Sequence, residues 1–351
     1  MVARSVLISL GLCGAAVLPL GGCGGGDAGG NPNGPTDPGE PTYEVTVTVF
    51  YDENDNGRLD DEEGARVPGV EVMIGSGSGT SAPNTGHALV RGIRAGAHQM
   101  AVRPESLPHF YQAGPPMPLQ VPGPIEIDYP LTLPIGPNFP NLYLGLGDSI
   151  TVGDGSSDGR GYVLKLQNLL GPHFRRAEVR GWGRSGDTAA ETAEVARKSV
   201  RDTKAAYTLV LLGTNDWTFN MPSGCQDDVA LCDTIESLRT ILEEIDTFRS
   251  LPVIATLLPV NTALGAPPGR NLWIDQMNAQ IRTLAQEEGA LLVDANAAFK
   301  ARGDLSQLFD DQVHPNDLGY EVLARAWFDG ITRTRSASSS RHRLFGFSIG
   351  G

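Results

Sequence analysis

Basic residues are scarce in this chain: 27 Lys and Arg stand against 41 Asp and Glu, a formal net charge of −14 over 351 residues. A nucleic-acid binder needs a positive face for phosphates, so the charge argues against that class. It also gives no attraction to anionic lipid. Cysteine is sparse as well. The four lie at positions 13, 23, 225 and 232, with no Cys-x-x-Cys pair and no histidine near the last two in sequence, which argues against a zinc site. A membrane-length apolar run is missing too. The one sustained stretch, 6–20, is too short and too broken by glycine to span comfortably. What is plentiful is glycine and proline, 44 and 25 residues, and many cluster in two stretches that read as linkers. The length fits two domains with some linker, at roughly 150 residues per domain, and a hydrophobic content of 40% can build a sizeable core.

Residues 1–22 carry one charge, Arg4, ahead of the apolar run, which is the layout of a signal peptide. The run ends in Leu20-Gly21-Gly22-Cys23. This resembles the bacterial lipobox, and the resemblance implies that Cys23 becomes the lipidated mature N-terminus. A plain secretory signal cleaved nearby is the alternative. Gly24 rather than Asp follows, so nothing asks for inner-membrane retention. Residues 23–42 have almost no apolar side chains and read as a flexible tether. The expected location is the cell envelope, outside the cytoplasm, lipid-anchored at the outer membrane or cell surface. In that compartment Cys225 and Cys232 can close a small disulfide loop.

The stretch 43–50 alternates Val45, Val47 and Val49 with Glu44, Thr46 and Thr48, the period of a strand. A second strand is expected at 70–74. Between them, counted from Asp52, oxygen-bearing side chains fall at positions 1, 3, 5, 9 and 12: Asp52, Asn54, Asn56, Asp60 and Glu63. Gly57 takes position 6, and Arg58 at position 7 offers its backbone carbonyl. That is the spacing of an EF-hand calcium loop, although strands flank it. With the later rhythm around Thr85-Gly86-His87 and Gly92-Ile93, residues 43–134 resemble the calcium-binding, prealbumin-like β-sandwich modules of bacterial surface proteins. The resemblance implies a structural Ca2+; a solvated acidic hairpin is the alternative. His87, His98 and His109 have no ligand-like spacing. Residues 101–140 are Pro-rich with one expected last strand at 125–133, and 135–140 reads as a stiff linker.

From Asn141 the pattern changes. Apolar runs at 142–146, 177–180, 207–212, 252–258 and 290–293 read as strands buried on both faces. Helical stretches alternate with them: 162–170 stopped by Gly171-Pro172, a helix opened by a Thr188/Glu191 capping box, one opened at Asp233 with Glu236, one around Trp273 and Met277, and a last one at 316–331. This is a three-layer α/β/α arrangement on a mostly parallel five-stranded sheet, in which ligands gather at the carboxyl ends of the strands. Four polar motifs fall at those ends: Gly147-Asp148-Ser149-Ile150, the Ser-Gly186-Asp-Thr turn, Gly213-Thr-Asn215-Asp, and Asp311-Gln-Val-His314-Pro.

These blocks, in this order over 141–332, resemble the SGNH (GDSL-type) hydrolase family. The resemblance implies Ser149 as nucleophile, His314 as its base, Asp311 as the partner that orients the imidazole, and an oxyanion hole made of the Ser149 and Gly186 amides and the Asn215 side chain, with no catalytic cofactor. Chemistry agrees, since a serine needs a base to attack an ester at neutral pH. One position departs from the pattern: Gly181 stands where an Asn is usual. The first block together with Gly159-Arg-Gly-Tyr162 looks most like carbohydrate acetylesterases and small-ester hydrolases. Trp217 and Phe219 suit a sugar platform, an acyl wall or loop core. A lysophospholipase-like esterase is the runner-up, and a non-catalytic surface binding protein a distant third. The basic tail 333–351 reads as disordered.

Overall fold

The computed structural model describes residues 40–335. The expected signal peptide, Cys23, most of the tether and most of the basic tail lie outside the described residues. The N-terminal part holds β1 (Thr42–Tyr51), β2 (Glu71–Ile74), β3 (Gly77–Thr80), β4 (His87–Arg94), β5 (Gly96–Val102), β6 (Gln112–Ala113), β7 (Met117–Val121) and β8 (Glu126–Thr132). They form two four-stranded sheets, in the orders β4-β1-β8-β6 and β3-β2-β5-β7. The alternation read in β1 is that of a half-buried strand, with Val45, Val47 and Val49 turned into the core. Two strands, β6 and β7, occupy the Pro-rich stretch ahead of the one that was expected there. Pro118 is tolerated because β7 pairs on one side only, with β5, and an edge strand can spare an N–H.

The C-terminal part runs β9 (Phe139–Gly147), α1 (Ser149–Val152), α2 (Gly161–Phe174), β10 (Glu178–Gly183), α3 (Ala189–Thr203), β11 (Ala205–Leu211), α4 (Thr214–Thr218), α5 (Thr234–Thr247), β12 (Leu251–Ala255), α6 (Arg270–Glu287), β13 (Leu291–Val293), α7 (Ala295–Lys300) and α8 (Asp317–Thr332). All five strands are parallel, in the order β10-β9-β11-β12-β13. The first strand, β9, is therefore internal, and chain order reverses around it. That is where a doubly wound sheet opens a crevice at its carboxyl edge.

Several boundaries differ from the sequence reading, each for a physical reason. Gly171-Pro172 does not stop α2; the helix continues to Phe174 and carries Pro172 inside its last turn. Phe174 is buried, and the carbonyls of His173 and Phe174 accept the N–H groups of Asn84 and Arg66 at 3.0 Å each. A helix end whose orphan carbonyls find partners outside the helix keeps its last turn. The expected strand over 252–258 stops at Ala255, because the Asn278 side chain takes over both polar backbone groups of Leu257, at 2.7 and 3.0 Å. Asp233 sits at the N-cap of α5 without a side-chain capping bond; the Thr234 hydroxyl bonds Asp216 instead, at 2.7 Å.

From Pro41 onward the described residues form one compact unit. The stretch 135–140 does not act as a spacer: Ile135 is 1% exposed and β9 begins at Phe139. Beside the Arg66 and Asn84 bonds, Phe110 meets Tyr207 edge-on, and Tyr207 stacks on Tyr143 with centroids 4.8 Å apart. The first residues of the expected disordered tail are ordered by the same surface, where Thr334 bridges Pro108 and the Arg335 N–H bonds the Leu107 carbonyl.

Candidate active site

The carboxyl ends of β9, β10 and β11 and the loop before α8 converge on one cavity of about 420 Å³. β9 passes into α1 through Gly147 and Asp148. A side chain at Gly147 would put a Cβ 2.0 Å from the Thr151 hydroxyl and 2.9 Å from the Leu211 carbonyl, so only glycine lets the strand run this close to the helix that follows. Asp148 caps α1 by accepting the Ile150 N–H at 2.9 Å. Ser149 is the first residue of α1, where N–H groups lack intrahelical partners.

His314 Nε2 lies 2.9 Å from Ser149 Oγ, and His314 Nδ1 lies 2.7 Å from Asp311 Oδ2. Asp311 is built to stay charged. Burial alone would raise its carboxyl, but the His314 and Val313 N–H groups and the His314 ring outweigh that and hold it below the usual range. A charged Asp311 keeps the proton on Nδ1, which leaves Nε2 free to accept one from the serine. Neighbouring Asp148 is the opposite case. It is 1% exposed, and burial pushes it up to about 7, with Asp216 adding to the rise and the Ile150 N–H and His314 offsetting part of it.

Gly186 sits in a turn closed by the Asp187 N–H on the Arg184 carbonyl at 3.0 Å, with φ +90, a conformation that favours glycine. Asn215 donates its side-chain amide to the Asp187 carbonyl at 3.0 Å, so the second and third expected oxyanion donors are tied to each other. The turn does not depend on an asparagine at position 181. The Arg184 N–H reaches the Gly147 carbonyl at 3.2 Å, and Ser185 bonds Asp154 at 2.8 Å. The capping box of α3 is present in both directions. Thus Ser149, Gly186, Asn215, Asp311 and His314 all border the same cavity.

Cys225 and Cys232 are disulfide-bonded. The loop they staple follows α4, and the Cys225 carbonyl accepts Trp273 Nε1 of α6 at 2.7 Å. Phe219 borders the cavity and is 53% exposed. Trp217 instead stacks on Arg270, whose guanidinium carbon is 4.5 Å from the ring centroid. Arg270 itself borders the cavity, and nothing near it in sequence signals this; α6 simply begins there. The expected metal-loop residues are far from this site in sequence; Asn54, Asp60 and Glu63 line a separate cleft together with Glu53, and Asp52, Asn56 and Arg58 do not line it.

Residues 146–322, half of the chain, match the GDSL-like Lipase/Acylhydrolase family. An acetylxylan esterase of Geobacillus stearothermophilus is 28% identical over 206 residues, which cover 54% of this chain and 92% of that protein. Among solved structures, the acetylxylan esterase Axe2 of the same organism is 25% identical, over 57% of this chain and 96% of that one, with a TM-score of 0.46. LAE5, an alpha/beta hydrolase enzyme from the metagenome of Lake Arreo, Spain, is 24% identical over 57% and 98%, with a TM-score of 0.47. The chain belongs to the GDSL-like Lipase/Acylhydrolase family and is a carboxylic ester hydrolase.

Proposed function

We propose that this protein removes short acyl groups, acetyl foremost, from carbohydrate at the cell envelope, held there by a lipid on Cys23. The observation that carries the chemistry is the relay of 2.9 and 2.7 Å from Ser149 through His314 to Asp311. Ser149 Oγ attacks the ester carbonyl while His314 Nε2 takes its proton. The negative oxygen of the tetrahedral intermediate turns toward the Ser149 and Gly186 amides and the Asn215 side chain. Losing one such donor typically costs about 100–1000-fold in rate. His314 then returns the proton to the departing sugar oxygen, and the alcohol leaves. Water, deprotonated by the same histidine, releases the acid and restores the serine. Asp311 stabilises the imidazolium in both halves.

The carbohydrate part of the reading is supported by the similarity to an acetylxylan esterase and by the exposed Phe219 at the cavity, a face on which a sugar can stack. The test is hydrolysis by a soluble form starting at Gly24. Release of p-nitrophenol from the acetyl ester is expected to exceed that from octanoyl and longer esters by about tenfold or more, a discrimination of ~1.4 kcal/mol. Acetate is expected from acetylated xylan, with Ser149→Ala inactive on every substrate. A preference for long chains would favour the lysophospholipase-like alternative and remove the carbohydrate reading.

A structural Ca2+ in the 52–63 loop belongs to the same proposal. Asp52 and Glu63 are buried carboxylates, 4% and 3% exposed, and accept N–H groups from within the loop. The Asn54 and Asn56 amides converge on Asp60. Among the described residues no three His, Cys, Asp or Glu side chains could hold a metal by themselves, so the set needs the Asn54 and Asn56 oxygens and the Arg58 carbonyl. All of these donors are oxygens, which suits a hard cation. The ion would cross-link the loop and take no part in the ester chemistry.

A further inference from the structure

Arg270 is a buried guanidinium in an acidic protein. It is 4% exposed, and its Nε has no hydrogen-bond partner. Among the described residues no carboxylate forms an ion pair with it. Burial pulls its guanidinium down to about 10, while the charges of Asp148 and Asp311 oppose that without touching it, and a charge taken out of water with no carboxylate in contact is costly. That cost points to a role other than stability.

Its bonds show where it acts. Arg270 Nη2 donates to the Thr214 carbonyl at 3.0 Å and to Thr218 Oγ1 at 2.7 Å, the first and last residues of α4. Its plane covers Trp217, in the same helix. α4 has five residues, too short to hold itself in place. It is also the element that carries Asn215. Arg270 thus grips both ends and one face of the helix that presents the third oxyanion donor, while bordering the cavity that holds Ser149 and His314.

We propose that Arg270 is a positioning residue for ester hydrolysis: it fixes α4 so that the Asn215 amide meets the developing oxyanion, and it adds a fixed positive charge on that side of the cavity. The proposal rests on Ser149 hydrolysing esters and is independent of whether the substrate is a carbohydrate. Preorganised positive charge stabilises an anion formed in a dry cavity far better than it would in water. A misplacement of about 1 Å in such a donor costs on the order of 100-fold.

The experiment is steady-state hydrolysis of p-nitrophenyl acetate by the wild type, Arg270→Met, Arg270→Lys, Asn215→Ala and the two double variants, alongside thermal melting. Arg270→Met is expected to lower kcat by about 10–100-fold with KM changed less than about threefold, because the loss falls on the transition state. Its melting temperature is expected to stay level or rise, since methionine removes a buried charge that no carboxylate contacts. Arg270→Lys restores the charge without the fork and should recover part of the rate. In the Asn215→Ala background the Arg270→Met effect should shrink to about threefold or less, because coupled residues are not additive. An equal loss in both backgrounds, or a full-rate Arg270→Met, overturns the proposal. If Arg270→Met does not fold, the same comparison with Arg270→Lys decides. Ser149→Ala serves as the control for the underlying reading: if it keeps activity, the nucleophile assignment falls and this proposal falls with it, whereas an inactive Ser149→Ala leaves any loss of coupling to count against Arg270 alone.

Discussion

Asp148 precedes Ser149 in the chain and Asp311 bonds the His314 ring, and their surroundings give the two carboxyls opposite charge preferences. Asp311 is half-exposed and surrounded by donors, so it stays ionised beside the imidazole. Asp148 is enclosed, and its carboxyl is pushed from 3.8 to about 7, chiefly by burial. A pKa raised on folding means the native state keeps a proton that the unfolded chain has already released between those two values. Stability from this group is therefore greatest below about 4, falls as pH climbs toward 7, and stays low above it. Asp148→Asn keeps an oxygen for the Ile150 N–H and removes the titration. Unfolding free energies of the two proteins should coincide near pH 4 and separate by roughly 2–4 kcal/mol in favour of the variant by pH 8, since each tenfold change in proton affinity is worth ~1.4 kcal/mol. Denaturant titrations at the two pH values measure this, and a gap that does not change with pH would refute the assignment. The five residues of the candidate site were read in the sequence through the resemblance of their motifs to the SGNH hydrolases, and those motifs fall within a few residues of a strand end or in the loop before the last helix, where an α/β sheet gathers its ligands. Arg270 was not legible. It reaches α4 from 52 and 56 residues away, and a contact across that distance leaves no local spacing to read.

At the scale of elements, local chemistry was readable where both partners lie within one turn and no distant group competes for them, as one does at the start of α5, where the Thr234 hydroxyl bonds Asp216. The Thr188/Glu191 capping box of α3 is a case in point. Local reading failed wherever a distant segment supplied the partner. The last turn of α2 survives Pro172 because Arg66 and Asn84, about a hundred residues earlier, take its free carbonyls. The loop after β1 is the element whose stability is open to a direct test. Two of its carboxylates, Asp52 and Glu63, are the first and last of the expected donors, and each already binds loop N–H groups. A bound cation would add cross-links to a folded arrangement and raise stability by mass action, about 2.7 kcal/mol at a hundredfold excess over Kd. Calcium at millimolar concentration is expected to raise the melting temperature of the protein from Gly24 onward by several degrees over the chelated form. Glu63→Gln should abolish most of that difference. Identical melting with calcium and with chelator would leave the loop a hydrogen-bonded hairpin.

The described residues from Pro41 on form one compact unit, although composition suggested two domains with a spacer. Sequence could not show this, because the surfaces that meet are assembled from residues with no common pattern: Phe110 in a loop, Tyr143 and Tyr207 on adjacent parallel strands, and the end of α2. Tyr143 and Tyr207 are 1% and 3% exposed, and Phe174 is 1% exposed. If the β-strand part were absent, Tyr207 would lose its contact with Phe110, and the α2 carbonyls would lose the Arg66 and Asn84 N–H groups. A newly exposed large side chain costs about 1.5–3 kcal/mol of lost burial, and each unsatisfied carbonyl about 1–3 more unless water reaches it. Several such losses together are comparable to the whole stability of an ordinary domain, about 5–15 kcal/mol. Calorimetry of the protein from Gly24 onward should therefore give a single cooperative transition with a van't Hoff enthalpy equal to the calorimetric one. A chain beginning at Asn141 should be insoluble, or should melt at least ~10 °C lower and lose esterase activity at the same temperature. The calcium effect should then appear in the inactivation temperature of the esterase, although the loop is distant from Ser149 in sequence, because one transition carries both. Two resolved transitions, with calcium moving only the first and the Asn141 chain fully active, would show instead that the two parts fold and function independently.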